Sequence, residues 1–216
     1  MCKGAKNREM KFLSAEELHR LADEVPERYW AYVVTAGYTG ARWSELVALK
    51  TSDLTLLERR LTIQRSAVEV GGHLREGPPK TESSRRSMTL PSFVVEAIAA
   101  HLSRYPSVDG YVFTGPRGGP MRRSWTRRHF KPAAEKMGIK GLRFHDLRHT
   151  SVGLAISAGA HPKVIQMRLG HSSIQVTLDR YGHLFPNLDE ALAKSLNEVA
   201  ISTAAAFPPP FRRFGA

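Results

Sequence analysis

Residues 143–184 read RFHDLRHTSVGLAISAGAHPKVIQMRLGHSSIQVTLDRYGHL, and the punctuation of this stretch decides the fold. Gly159, Gly170 and Gly182 divide it into three runs with a helical apolar period, at about 145–158, 162–169 and 173–181. Glycine marks helix ends because it enters the left-handed backbone region without a Cβ clash. Ser172, with Gln175 three residues on, has the form of a cap for the third run. Three short helices in succession, with no strand between them, give a helical second half.

The reading extends outward from there. A basic helix is expected at about 122–136, preceded by an irregular, Gly-rich stretch at 111–121. Upstream, Val94, Val95, Ile98 and Leu102 repeat at helical spacing after Pro91. Between 54 and 90 the period changes. Leu61, Ile63, Val68 and Val70 are strand-like, Gly71-Gly72 forms a hairpin turn, and Met88 with Leu90 gives another strand. Near the start, Ser14 and Glu17 form a capping box, Pro26 breaks the helix they open, and Trp30, Val33 and Val34 line a second that ends near Gly37 and Gly40. A short third helix covers 42–49. Downstream, 188–202 is a last amphipathic helix with Leu188, Leu192 and Leu196 on one stripe. The class is α+β, mostly helical, with a small antiparallel sheet of about three strands.

Composition bounds the function. The chain has 216 residues, 32 basic and 20 acidic, for a net charge of +12, and 42% of it is hydrophobic. That suffices for one substantial core and argues against wholesale disorder. No apolar run reaches the length of a membrane span, and residues 1–12 lack the apolar centre of a secretory signal. Cys2 is the only cysteine. An internal disulfide and Cys-built metal sites are therefore excluded, and a cytoplasmic setting is expected. A pI near 10.2 points to a polyanionic partner. Neither GxxxxGK nor GxGxxG occurs, so no nucleotide cofactor is expected.

Four segments can carry chemistry. His145-Asp-Leu-Arg-His149 places histidines four apart on one helical face, the spacing of a zinc site. Arg148 on the same flank repels a divalent cation, and Asp146 is one methylene shorter than the usual Glu base. The other reading pairs His145 with Arg148, at i and i+3, as a hydrogen-bond donor and a fixed cation for one phosphate. Its bland alternative is a capping His and a salt-bridged Arg. His171 follows at a helix junction, and Tyr181 arrives at the end of the next helix, a place where a tyrosine usually packs in the core. Arg42 and Glu45, in TGARWSEL, stand at i and i+3 near a helix start, as an ordinary intrahelical pair also would. PKTESSRR, with Lys80, Arg85 and Arg86, sits between strands, as a solvated basic hairpin also would.

Together, in this order, these segments resemble the tyrosine recombinases, or phage-type integrases. TGARWSEL resembles the family's first arginine box, PKTESSRR its β-hairpin lysine segment, HDLRHT its His-x-x-Arg box, and LGHSSIQVTLDRYGHL the box with the second His and the nucleophile. The resemblance covers about 12–185. It implies the family's DNA breaking-rejoining catalytic fold at 13–186, a linker at 1–12, a helix at 187–202 that packs in cis or on a neighbouring protomer, and a flexible tail at 203–216. The chain starts at what looks like the interdomain linker, so the N-terminal core-binding domain is expected to be absent from it.

The implied chemistry is transesterification at specific double-stranded DNA sites, for integration or excision. Tyr181 attacks phosphorus, expels the 5′-hydroxyl and forms a 3′-phosphotyrosine. Arg42 and Arg148 clamp the non-bridging oxygens, His171 donates to one of them, His145 takes the Tyr181 proton, and Lys80 protonates the leaving oxygen. Glu45 and His149 support the site, with no metal. The stretch 117–131 has six Lys or Arg and no acid, with Trp125 and Phe130 interleaved. Arg122, Arg123, Arg127, Arg128 and Lys131, with Arg85 and Arg86, are expected on DNA. The expected assembly is a homotetramer on synapsed DNA and a monomer when free. The competing readings are a type IB topoisomerase and a DNA-binding protein without catalysis.

Overall fold

The computed structural model describes residues 9–71, 73–79, 84–185 and 188–206, with the backbone alone at 188, 191 and 203–206. Gly72, Lys80, the Leu188 side chain, residues 1–8 of the expected linker and residues 207–216 of the expected tail lie outside the described residues.

Helix α1 (Ala15–Glu24) opens with the expected capping box: Glu17 N donates to Ser14 Oγ at 3.1 Å, and Ser14 N to Glu17 Oε2 at 2.8 Å. Such a cap is worth about 1 kcal/mol. Leu18 and Leu21 are buried against α2 (Trp30–Thr39), which a single 3₁₀ turn, Glu27–Tyr29, precedes. The two helices cross closely: a Cβ on Gly37 would lie 2.3 Å from Leu18 Cδ2. Helix α2 is buried nearly all round, from Ala31 to Gly37, and forms the axis of the domain between α1, α4 (Ser92–Arg104) and α6 (Asp146–Ser157). It ends at Gly40, φ +65°, where a Cβ would meet Ser151 Oγ at 2.3 Å. That turn delivers α3 (Trp43–Leu46), with Arg42 as its N-cap.

The strands form two separate pieces. β1 (Leu54–Thr55), β2 (Arg60–Ile63) and β5 (Arg86–Thr89) make a three-stranded antiparallel sheet in the order β1-β2-β5, with Leu61 opposite Met88 and Ile63 opposite Arg86. β3 (Ser66–Val70) and β4 (His73–Gly77) form an independent hairpin that turns at Gly71, φ +56°. Val68 and Val70 therefore belong to an arm whose outer faces are exposed, while the third strand of the sheet is Leu54–Thr55. The arm is pinned near its base, at Glu76, and near its turn, at Glu69. Lys50 Nζ lies 3.4 Å from Glu76, Tyr111 donates to the same carboxylate, and Arg123 N donates to Glu69 at 2.9 Å.

The basic stretch is less regular than expected. Thr126–Phe130 forms a π-turn that runs into α5 (Lys131–Lys136). Trp125 and Phe130 do not face outward between the arginines. Both are buried in an aromatic cluster with Tyr32 and Phe144, ring centroids 5.1–6.0 Å apart. Helices α7 (Pro162–Leu169) and α8 (Ile174–Tyr181) follow α6 at the expected places, with Gly159 and Gly170 at positive φ. The cap of α8 is Ser173 rather than Ser172: its hydroxyl accepts from Val176 N at 3.4 Å. Helix α9 (Leu188–Ala206) leaves Leu192, Leu196 and Val199 exposed. No helix among the described residues is long and apolar enough to cross a membrane.

Buried apolar residues form two clusters. The larger runs from α1 and α2 through the sheet to Phe144 and Leu147. The smaller holds Val152, Ile165, Leu169 and Tyr181, with Met10, Phe12, Leu184 and Phe185 packed on it.

Candidate active site

The site is built around one buried carboxylate. Glu45, 2% exposed, accepts from Arg42 N at 2.7 Å and Arg42 Nη1 at 2.8 Å, and from Arg86 Nη1 and Nη2 at 3.0 and 2.8 Å. Burial alone would raise its pKa, but the hydrogen bonds and charge of Arg86 and Arg42 hold it below the usual carboxylate range. Arg86 also donates to the carbonyls of Arg168 (2.6 Å) and Ser84 (2.9 Å). With its side chain 5% exposed and its donors committed, Arg86 cannot hold DNA as expected; it braces Glu45. Strand alternation carries the reason, since Arg86 shares the inward face of β5 with Met88.

Arg148 is the second cation at the site. It is 3% exposed and donates to Gly40 O and Leu169 O, both at 2.6 Å. Burial, then the charges of Arg42 and Arg86, lowers its pKa to about 9, so it remains protonated at neutral pH. The two carbonyls come from the ends of α2 and α7, so helix termini aim this guanidinium, in keeping with the negative end of the helix dipole. Arg42, 37% exposed at its side chain, stands in front of it.

Arg42, Arg148, His145 and His171 line one cavity of about 290 Å³, together with Arg180. His171 is buried, with Nδ1 2.9 Å from Thr177 Oγ1. With the Thr177 hydroxyl donating to Nδ1, Nε2 is the protonated nitrogen available to the cavity. Burial, then Arg148 and Arg180, pushes its pKa down to about 4, so it is a neutral donor. His145 is exposed at the mouth, at the start of α6, and partial desolvation and Arg148 lower its pKa. Asp146 is spent on Arg143, accepting from Nη2 at 2.5 Å. No group of three or more His, Cys, Asp or Glu among the described residues is arranged to hold a metal ion.

Tyr181 is 0% exposed, its ring parallel to that of the lining His171 at 6.5 Å. Its hydroxyl is hydrogen-bonded to His149 Nδ1 at 2.8 Å. Burial raises its pKa, and Arg148 and Arg180 oppose that rise. No hydrogen bond joins His145 to Tyr181 among the described residues. The expected proton acceptor is thus at the cleft mouth, one helical turn from the histidine that touches the hydroxyl. Arg180 was missed by the sequence reading. Its one signal is its place beside Tyr181 in the last turn of α8.

A larger groove of about 860 Å³ shares Arg42, His145 and Arg148 with the cavity and continues along Arg123, Arg127 and Lys131. These three of the expected DNA-facing residues lie together. Arg122 and Arg128 line a different cavity, beside Trp125 and the Gly115–Pro120 loop, and Arg85 is exposed next to the segment that holds Lys80.

Comparison with known proteins bears on this geometry. The model of the phage integrase family matches residues 11–187. The integrase of Mycobacterium phage L5 is 30% identical over 204 residues, covering 92% of this chain and 55% of the phage protein. The ICEBs1 integrase of Bacillus subtilis is 27% identical over 205 residues, covering 89% of this chain and 55% of the relative. The chain thus spans about half the length of these relatives. In structure it is similar to the Tn1549 transposon integrase in complex with circular intermediate DNA (TM-score 0.74, 21% identity, 90% of this chain and 68% of the other). It is also similar to the catalytic domain of bacteriophage HP1 integrase (TM-score 0.58, 24% identity, 86% and 95%).

Proposed function

We propose that this chain, which belongs to the phage integrase family, is the catalytic part of a site-specific tyrosine recombinase that cuts and rejoins double-stranded DNA. One observation carries the reading. Two guanidinium groups and a neutral imidazole converge on a phosphate-sized cavity, and the buried Tyr181 ring lies parallel to that of the lining His171. A phosphodiester seated there receives bidentate donors from Arg42 and Arg148 on its non-bridging oxygens, and a third donor from His171. The guanidiniums keep their charge through the reaction, so the negative charge of the transition state is met without reorganisation.

Tyr181 attacks phosphorus as the 5′-oxygen leaves, and the 3′-phosphotyrosine conserves the bond for rejoining. Lys80 is assigned as general acid on its resemblance to the family's lysine segment, carried on the chain that follows the β3–β4 arm. Arg123, Arg127 and Lys131 hold flanking phosphates along the groove. Because the hydroxyl is fully buried, attack requires Tyr181 to come forward. The apolar stripe of α9, with Leu192 and Leu196 exposed, suits docking on a neighbouring protomer. On this reading the assembly on synapsed DNA is a homotetramer.

The test is covalent trapping on a nicked suicide duplex, with the target site selected from DNA flanking the protein's own gene. The wild type should form an adduct that survives denaturation. Tyr181→Phe should bind the same DNA and form none; a Phe variant that still forms it removes Tyr181 as nucleophile.

A further inference from the structure

Tyr181 must lose a proton as it attacks. Its burial keeps bulk water and hydroxide from the hydroxyl, so the acceptor has to be a neighbouring side chain. A general base needs to stand within hydrogen-bond reach of the proton it takes. His149 Nδ1 does so, at 2.8 Å. The His149 ring is itself 4% exposed, held between Phe12 (centroid 6.1 Å), the perpendicular His145 ring (5.3 Å) and Tyr181 (5.7 Å). The charged groups facing it are His145, Asp146 and Arg143 at the start of α6 and Arg180 on α8. Burial and then His145 bring its pKa down to about 4, against the attraction of Asp146, so the imidazole is neutral and free to accept.

We propose that His149, rather than His145, is the group that takes the Tyr181 proton; this rests on Tyr181 being the nucleophile. In the forward step the proton passes from Tyr181 Oη to His149 Nδ1 in the buried pocket, and the phenolate then comes forward as Oη bonds to phosphorus. The bond from phosphorus to the 5′-oxygen breaks, and that oxygen takes a proton from the general acid. Rejoining reverses each transfer: the 5′-hydroxyl attacks the phosphotyrosine and the phenolate recovers its proton from His149. Burial opposes the imidazolium, and so do Arg143 and Arg180. The phenolate 2.8 Å away, Asp146 and the seated phosphate supply the opposing negative charge. Arg180, which lines the cavity and faces the hydroxyl, favours the phenolate while Tyr181 comes forward.

Two variants separate proton transfer from hydrogen bonding. His149→Asn places an amide where Nδ1 stood, so it can hold the hydroxyl but cannot take its proton. His149→Ala does neither. On the suicide duplex, with the full-length protein, both variants should lose about 10²–10⁴ in single-turnover cleavage at neutral pH. Their rates should then climb about tenfold per pH unit toward the tyrosine pKa, as solvent base substitutes, while the wild type stays nearly flat. DNA affinity and melting temperature of the Asn variant should match the wild type. An Asn variant that cleaves at the wild-type rate overturns the proposal, leaving His149 a positioning residue. A faster Ala variant overturns it in favour of a restraint on the nucleophile, and a slow variant with an unchanged pH profile reduces His149 to packing. A Tyr181→Phe protein that still forms the adduct fails the underlying reading instead, and the proposal with it.

Discussion

The two guanidiniums and the proposed nucleophile, Tyr181, are held in different ways. Arg42 and Arg148 belong to a frame in which Glu45, Arg86 and four backbone carbonyls share seven charge-assisted hydrogen bonds of 2.6–3.0 Å. The frame is anchored in the larger core through α2, α3 and β5. Tyr181 sits in a cluster of four buried residues, covered by Met10 and Phe12, and its hydroxyl bonds to His149, with Arg180 beside it. Charges that stabilise a transition state are worth most when they cannot relax. A nucleophile that must reach phosphorus needs the opposite, a pocket cheap to leave. The molecule spends its polar network on the first task and a small apolar cluster on the second.

The sharpest way to break this contrast is Arg148→Lys. Lysine keeps the charge but cannot bond Gly40 O and Leu169 O while presenting a fork to phosphate. Cleavage of the suicide duplex should fall about 10²–10³-fold with DNA binding retained. Near-normal cleavage would show that the frame does not aim Arg148 at the scissile phosphate.

Next is the centre of the frame. Glu45→Gln leaves Arg86 and Arg42 facing each other without their carboxylate. Removing one member of such a buried group costs roughly 3–5 kcal/mol, about 10 °C in melting temperature for a domain of this size. The folded-state pKa of Glu45 lies below its unfolded value. Its contribution is therefore present above the ordinary carboxylate range and lost as pH falls through the folded pKa. The variant should lack this acid-side loss. A melting temperature unchanged by the substitution would show that Arg42 and Arg86 are held by other means.

Sequence reasoning succeeded where the signal is local. The Ser14–Glu17 box, the helix ends at Gly40, Gly159 and Gly170, and the i, i+3 pairing of Arg42 with Glu45 all depend on neighbours in the chain. It failed where a contact spans the fold. Arg86 looked like another exposed cation in a basic run. The register that puts it opposite Ile63, inside the sheet and on Glu45 41 residues away, is fixed only by strand pairing. Trp125 and Phe130 read as interleaved with a DNA-facing row of cations because the charges around them are legible and the cluster of Tyr32 and Phe144 beneath is not. His149 was legible as a supporting residue, but its bond to a hydroxyl 32 residues on depends on how α8 docks against α6.

Acid should also distinguish the two regions. His149 and His171 by the nucleophile, and His101 in the larger core, each have a folded pKa of about 4 against 6.5 unfolded. A depressed folded pKa means that the unfolded chain binds more protons between these values. Stability from these groups is full above 6.5 and is lost as pH falls toward 4. Denaturant midpoints measured across that window should show an uptake approaching three protons on unfolding. His101→Phe should remove about one of them while cleavage at neutral pH stays unchanged, because His101 is buried beside Tyr105 and Phe113, outside the site. An uptake unaffected by the substitution would show that His101 titrates normally in the fold.

The smallest effect concerns the path of the DNA. Each phosphate neutralised by a protein cation contributes about 0.9 to the slope of log affinity against log salt. Arg123 and Arg127 line the groove that continues from Arg42 and Arg148; Arg117 and Arg128 line the cavity on the other side of the same helical segment. If the duplex follows the groove, converting Arg123 and Arg127 together to Gln should flatten the slope by about 1.8, uniformly across sequences, while the Arg117 and Arg128 pair should leave it nearly unchanged. Arg86→Gln is the internal control. Its guanidinium faces Glu45 rather than solvent, so it should lower the melting temperature without altering the salt slope. Equal flattening by both surface pairs would mean that the duplex straddles the segment 122–131. A slope changed by Arg86→Gln alone would mean that the frame, and not the groove, carries the phosphate contacts.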